Sequence, residues 1–219
     1  HELRKPLNGI LGFANLLAEA LADNNDLREM AEIIHISGHR LLDTLNSILD
    51  LSIVEAGRLE VQTERIDVAT VVRESAMLYS ASAKSKGLEL RSSLPDPALE
   101  VVTDERLLRQ ILNNLINNAI KYTWEGSVTL VAEQVRDAAN EAVRIHIADT
   151  GIGISQKDQQ VIFDEFRQAS EGYSRAYDGS GLGLSVSQKF AHVLGGRISL
   201  VSVPGKGSCF TVHLPSRNL

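Results

Sequence analysis

The stretch Asp104-Glu-Arg-Leu-Leu-Arg-Gln-Ile-Leu-Asn-Asn-Leu-Ile-Asn-Asn-Ala-Ile-Lys-Tyr-Thr123 decides how the rest of the chain is read. Leu108, Ile111, Leu112, Leu115, Ile116 and Ala119 recur at helical spacing, and Thr103 or Asp104 can start the helix they predict, which runs to about Tyr122. The stripe is broad enough to be buried, yet four asparagines, Asn113, Asn114, Asn117 and Asn118, fall within six residues. Asn is a mediocre helix former, and each one weakens the helix by about a few tenths of a kcal/mol relative to Ala. A segment that breaks its own local propensity this often is where function is expected. Asn114, Asn118 and Lys121 stand at i, i+4 and i+7, hence on one face. Two amide oxygens and an ammonium along that face suit a hard cation such as Mg²⁺ together with phosphate groups. Taken alone, the same pattern also fits a polar, solvated helix face.

Downstream of this helix, Val128 to Glu133 and then Val143, Ile145 and Ile147, alternating with Arg144 and His146, predict strands. The second strand leads directly into Asp149-Thr-Gly-Ile-Gly-Ile154. A carboxylate at a strand end can accept a hydrogen bond from an exocyclic amine such as that of adenine, and Gly151 and Gly153 let the backbone turn close to a ligand. Further on, Asp178-Gly-Ser-Gly-Leu-Gly-Leu184 precedes a helix over about Leu182 to Leu194, closed by Gly195-Gly196. Glycines before a helix N-terminus expose N–H groups that cradle phosphate. The spacing is not that of the dinucleotide-binding fingerprint, and neither a Walker A sequence nor a protein-kinase signature set is present. Between these motifs lie Phe163-Asp-Glu-Phe166 and a polar stretch from Ala169 to Gly179, which suits a lid from which Arg167 or Arg175 reaches phosphate. The chain ends in a predicted hairpin, Ile198 to Val203, the turn Pro204-Gly-Lys-Gly207, and Ser208 to Leu214.

Upstream, Asp67 can cap a helix over roughly 68–86, Leu88 to Arg91 reads as a strand, and Pro95 and Pro97 break the chain. Residues 58–66 read as a linker entering a strand at Leu59, Val61 and Thr63. The first 57 residues are a different kind of object, with nine acids against four bases. Leu3, Leu7, Ile10, Ala14, Leu17 and Leu21 make a coiled-coil-like seam, and after the break at Ala22-Asp-Asn-Asn25 a second helix repeats Leu27, Ile34, Leu41 and Ile48 at seven-residue steps, to about Ala56 with Gly57 as its stop. One hairpin cannot bury that seam, whereas two copies forming a four-helix bundle can, so a homodimer is expected. The other arrangement that hides the seam is a hairpin packed on its own chain's second domain.

A hydrophobic content of 43% and a charged content of 23% support a packed core rather than disorder. No apolar run reaches membrane-spanning length, so membrane attachment is expected only through sequence upstream of this chain. The single cysteine, Cys209, excludes an internal disulfide and fits a reducing, cytoplasmic compartment. A net charge of −6 without a basic stripe argues against a nucleic-acid partner. His35 and His39 stand i, i+4 but lack the glutamate of a zinc helix, and no metal is expected there.

Taken in order, the motifs resemble those of sensor histidine kinases of two-component systems, over nearly the whole chain. Asp104 to Thr123, with Asn114, Asn118 and Lys121, is similar to the asparagine box; Asp149-x-Gly-x-Gly153 to the first glycine box; Phe163-Asp-Glu-Phe166 to the phenylalanine box; Gly179-Ser-Gly-Leu-Gly183 to the second glycine box; Gly205-Lys-Gly207 to the third; and His1-Glu-Leu-Arg-Lys-Pro-Leu-Asn-Gly-Ile10 to the histidine box. The resemblance implies an α+β chain: a dimerisation and phosphotransfer hairpin at 1–57, a linker at 58–66, and a Bergerat-type α/β sandwich at 67–219 that binds ATP. It implies Asn118 as the Mg²⁺ ligand with Asn114 assisting, Lys121 near phosphate, Tyr122 against the base and Asp149 on the adenine amine. Gly151, Gly153, Phe163, Arg175, Gly179, Ser180, Gly181, Leu182 and Gly183 complete the implied nucleotide site.

It further implies that His1 is phosphorylated from ATP and passes the group to an aspartate of a response-regulator receiver domain. Imidazole is a competent nucleophile near neutral pH, and Glu2 can fix its tautomer. Pro6, which has no N–H to return to the Glu2 carbonyl, predicts a kink beside the histidine. Lys5 departs from the Thr or Asn usual in kinases that also dephosphorylate their partner, so strong phosphatase activity is not expected. The alternatives are a dimeric ATP-binding scaffold and another ATPase of the same nucleotide fold.

Overall fold

The computed structural model describes residues 4–21, 24–95, 99–137, 140–167 and 180–215. The chain divides into two compact units, 1–53 and 54–219.

The first unit is a helical hairpin, α1 (Arg4–Ala20) and α2 (Asn25–Glu55). Asn24 starts α2, its side-chain oxygen accepting from the Leu27 N–H at 3.2 Å, as Asn does at helix N-termini. Within the hairpin, Leu7, Leu11 and Ala14 of α1 and Ala31 and Gly38 of α2 are buried. Gly38 stands mid-helix at a position that normally disfavours Gly. A Cβ there would come within 2.7 Å of Leu11 Cδ2, so the missing side chain is what lets the helices approach. Of the expected seam, Leu7 and Ala14 are inside, while Ile10, Leu17, Leu27, Ile34, Leu41 and Ile48 stand 42 to 57% exposed. The Pro6 kink depends on residues 1–3, which lie outside the described residues.

The second unit is the expected α+β domain. Its elements are β1 (Glu64–Asp67), α3 (Val68–Ser85), β2 (Glu89–Ser93), β3 (Glu100–Thr103), α4 (Glu105–Tyr122), β4 (Ser127–Asp137), β5 (Asn140–Asp149), the short α5 (Gln156–Gln159), α6 (Gly183–Val193), β6 (Arg197–Val203) and β7 (Gly207–Pro215). β1 and β3 form a small antiparallel pair, and the main sheet has the order β2-β4-β5-β7-β6. β2 runs parallel to β4, with α4 in the crossover between them, and the other neighbours are antiparallel. One sheet face is apolar and buried (Leu130, Ile145, Ile147, Val212 and Leu214) and packs with Leu108, Ile111, Leu112, Leu115 and Ile116 of α4 and Phe190 of α6. The alternate residues make the other face polar: His146 bonds Thr211 at 2.9 Å and Glu133 at 3.1 Å, and His213 bonds Ser199 at 2.8 Å.

Several boundaries differ from the sequence reading. The strand expected at Leu59, Val61 and Thr63 begins at Glu64, because its pairing with Glu100–Thr103, not its own alternation, decides where it forms. β3 itself is not visible in the sequence pattern, being four residues straight after the proline break. β4 and β5 extend beyond their alternating cores because each is the other's ladder partner along its whole length. The caps follow the sequence: Asp67 accepts from the Ala69 N–H at 3.1 Å, and Asp104 from the Leu107 N–H at 3.1 Å. Among the described residues no helix is long and apolar enough to cross a membrane.

Candidate nucleotide site

Asp149 ends β5 on the helix-bearing side of the sheet. Its Oδ1 accepts two backbone N–H groups, from Gly151 at 2.8 Å and from Ser208 at 3.2 Å. Both hydrogen bonds fall on one oxygen, so among the described residues Oδ2 is left as an acceptor for an incoming donor. Burial, the dominant influence, pushes the Asp149 carboxyl above the usual carboxylate range, and the two N–H groups pull it back only part of the way.

The loop after Asp149 is bound to two other elements. The Ile152 N–H donates to Tyr122 O at the end of α4 (3.2 Å), and Ile152 O accepts from the Gly205 N–H of the β6–β7 turn (2.7 Å). A Cβ at Gly151 would lie 2.3 Å from Tyr122 O, so only glycine permits this approach. Gly153 takes a positive φ of 66° and sits against Val203 O. The Tyr122 ring is half-buried with Lys121 Nζ 5.0 Å from its centroid, and burial raises its phenol above the ordinary value.

The asparagines separate by role. Asn117 is exposed, Asn113 and Asn118 are half-buried, and Asn114 donates from Nδ2 to Ser187 Oγ of α6 at 2.8 Å. A Cβ at Gly183 would be 2.3 Å from Asn114 Oδ1, so the amide oxygen meets the first residue of α6. Among the described residues α6 begins without a side-chain cap, and its first N–H groups, with the positive end of the helix dipole, suit an anion. The Leu182 side chain is buried completely and anchors this turn in the core; the Leu182 N–H takes the Ser180 hydroxyl as acceptor at 3.3 Å. Gly181 adopts φ 69° against Phe166 and Arg167. Phe163 packs edge-on against Phe210 of the core, ring centroids 6.4 Å apart; Phe166 is exposed with a φ of 59°, unusual for a bulky residue.

Three sequence-predicted groups are thus brought together in the second unit: Asn114 with Gly183, Tyr122 with Gly151, and Asp149 with Gly151 and the third glycine motif. His1, Glu2, Arg175 and Gly179 lie outside the described residues, as does the stretch read as a lid. Sequence reasoning missed Ser187 and Ser208, which orient Asn114 and Asp149. Ser208 directly follows Gly205-Lys-Gly207 and was within reach of the motif; Ser187 has no local signal. It also missed α5, whose cap was legible: Ser155 Oγ accepts from the Asp158 N–H (3.2 Å) and donates to the Asp158 carboxylate (2.7 Å), a variant of the capping box. Among the described residues no group of three His, Cys, Asp or Glu side chains can hold a metal. A cation here would depend on amide oxygens such as those of Asn114 and Asn118 with oxygens of the ligand, an all-oxygen set that fits Mg²⁺. A groove on another side of α4, lined by Glu64, Arg106, Arg109 and Asn113, holds none of the site residues.

Residues 103–218 match the family of histidine kinase-, DNA gyrase B- and HSP90-like ATPases, and residues 1–57 match the His Kinase A phospho-acceptor domain. The chain belongs to the sensor histidine kinases. It is 40% identical over 221 residues to an uncharacterised sensor-like histidine kinase of Rhizobium meliloti (strain 1021), covering 99% of this chain and 41% of the relative. It is 39% identical to the signal transduction histidine-protein kinase BarA of Escherichia coli (strain K12), covering 98% of this chain and 23% of BarA. The chain therefore spans less than half the length of these relatives. Among solved structures, ShkA, crystallised full-length in complex with AMPPNP, matches with a TM-score of 0.79 and 32% identity over all of this chain and 45% of ShkA.

Proposed function

We propose that this chain is the catalytic core of a protein-histidine kinase: a homodimer that binds Mg·ATP in its second unit, phosphorylates His1 and passes the phosphoryl group to an aspartate of a response-regulator receiver. The observation that carries the reading is Asp149, whose Oδ1 is taken by the Gly151 and Ser208 N–H groups while Oδ2 is left for the adenine amine. Tyr122 lies beside the base, Lys121 near the phosphates, the start of α6 receives phosphate, and Asn118 would hold Mg²⁺ with Asn114 assisting. Gly179, Ser180, Gly181 and Gly183 with Arg175 close over the phosphates, and Phe163 holds the base of that segment. Bound ATP is the phosphoryl donor, and the AMPPNP complex of ShkA supports an ATP-type ligand. His1 attacks in line, Glu2 holding the other ring N–H. The exposed seam residues of the hairpin support the dimer. Strong phosphatase activity is not proposed, because Lys5 stands where such kinases carry Thr or Asn.

The test is incubation with Mg²⁺ and γ-labelled ATP, followed by acid and base treatment of the labelled band. Label that survives base but not acid, and is absent from His1→Gln, is the expected result. Equal labelling of His1→Gln overturns the assignment. ATP bound without label favours the scaffold, and steady phosphate release without label favours a clamp-type ATPase. Against the last stands Asn114, an amide where those enzymes commonly use a carboxylate to activate water.

A further inference from the structure

A helix end leaves its last four carbonyls without donors from its own ladder. At the end of α4 each of the four is supplied from outside that ladder. Ala119 O accepts from Thr123 Oγ1 at 2.7 Å, and Tyr122 O from the Ile152 N–H at 3.2 Å. The two between them, Ile120 O and Lys121 O, accept from one ammonium, Lys86 Nζ, at 3.0 and 3.1 Å. Lys86 comes from 34 residues upstream of Ile120 and belongs to none of the motifs above. It is the C-cap of α3, its own N–H bonded to Ala83 O at 3.1 Å, so the stem that delivers the ammonium starts from a fixed point. A cation at this place also faces the negative end of the α4 dipole.

We propose that Lys86 is a positioning residue for the nucleotide, holding the last turn of α4 in the register that presents Lys121 and Tyr122 to the loop 149–154. The tolerance at that contact is small. Tyr122 O receives the Ile152 N–H and lies 2.3 Å from where a Gly151 Cβ would be, and the Gly151 N–H in turn holds Asp149 Oδ1. A last turn released from Lys86 moves Tyr122 and loosens the loop that aims the Asp149 carboxylate. The side chain must be long and carry several donors, because it spans from α3 to two successive carbonyls. Lys meets this with three N–H groups, and Arg meets it with a fork.

The proposal rests on the reading of the ATP pocket given above, so both are measured together. Binding of Mg·ATP to the full 219-residue chain is titrated calorimetrically for the parent, Lys86→Met, Lys86→Arg and Asp149→Asn, each with a thermal melt. Lys86→Met is expected to weaken ATP binding about three- to tenfold while keeping a cooperative melt, Lys86→Arg to recover most of the affinity, and Asp149→Asn to abolish binding. If Asp149→Asn loses ATP while Lys86→Met stays within about twofold of the parent, Lys86 has no positioning role. An affinity loss that only follows a collapsed melt and is not restored by Arg overturns the proposal as well. If Lys86→Met does not fold, Lys86→Gln is measured against the same criteria. If Asp149→Asn binds ATP like the parent, the pocket reading itself has failed, and the role of Lys86 falls with it.

Discussion

The two units bury their apolar residues in opposite ways. In the second, Leu108, Ile111, Leu112, Leu115 and Ile116 of one helix are wholly inaccessible, closed over by the sheet. In the first, Ile10, Leu17, Leu27, Ile34, Leu41 and Ile48 stand 42 to 57% exposed, although the sequence repeats them as regularly as a core. Neither periodicity nor hydrophobicity distinguishes the two. What distinguishes them is whether the chain itself supplies the opposite wall. The sandwich has a sheet and three helices to close its core. The hairpin has two helices, packed closely at Gly38 and Leu11, and its outer stripe is left exposed.

That contrast can be broken by experiment. Leu112→Ala opens a cavity in a closed core and is expected to destabilise the second unit by about 2–5 kcal/mol, by an amount independent of protein concentration in denaturant melts. A loss below about 1 kcal/mol would mean the core is less complete than its burial indicates. Ile34→Asp is expected to leave the hairpin's own packing intact and to weaken self-association by about 1.5–3 kcal/mol per copy, seen in sedimentation as monomer at micromolar concentration. An unchanged dimer would place the interface elsewhere. The smallest effect tests polar rather than apolar closure. Asp104 is buried; burial alone would raise its carboxyl, but the N–H groups of Gln62 and Leu107 and the Arg106 guanidinium together hold it below the usual range. A lowered folded value means that its contribution is present above the ordinary carboxylate pKa and is lost as pH falls through the folded one. Asp104→Ala is therefore expected to cost about 1–2 kcal/mol at neutral pH, with the difference from the parent shrinking as pH falls below about 4. A difference that grows on acidification would contradict the assignment.

Most of the second unit's elements were legible because their signals are local. The stripe of α4, the caps Asp67 and Asp104, and the alternation around Ile145 each need only neighbouring residues. β3 was not legible, since four residues after a proline break carry no pattern, and β1 shifted because it forms where β3 pairs with it. In the site, Asp149, Asn114 and the glycines could be chosen from motif order, and Gly151 and Gly183 prove to stand where a Cβ would strike Tyr122 O and Asn114 Oδ1. Of their orienting partners, Ser208 adjoins the third glycine motif and was within reach, whereas Ser187 acts across a long sequence separation with no local signal.

By itself, then, the sequence determined the kind and order of most elements and the succession of motifs, because backbone propensity, capping and hydrophobic period act over a few residues. Tertiary structure alone decided which apolar stripe is closed and which stays open, which oxygen of Asp149 takes the Gly151 and Ser208 N–H groups, and that an ammonium from the end of α3 caps α4. These depend on surfaces and hydrogen-bond partners tens of residues apart, which meet only when the chain has folded.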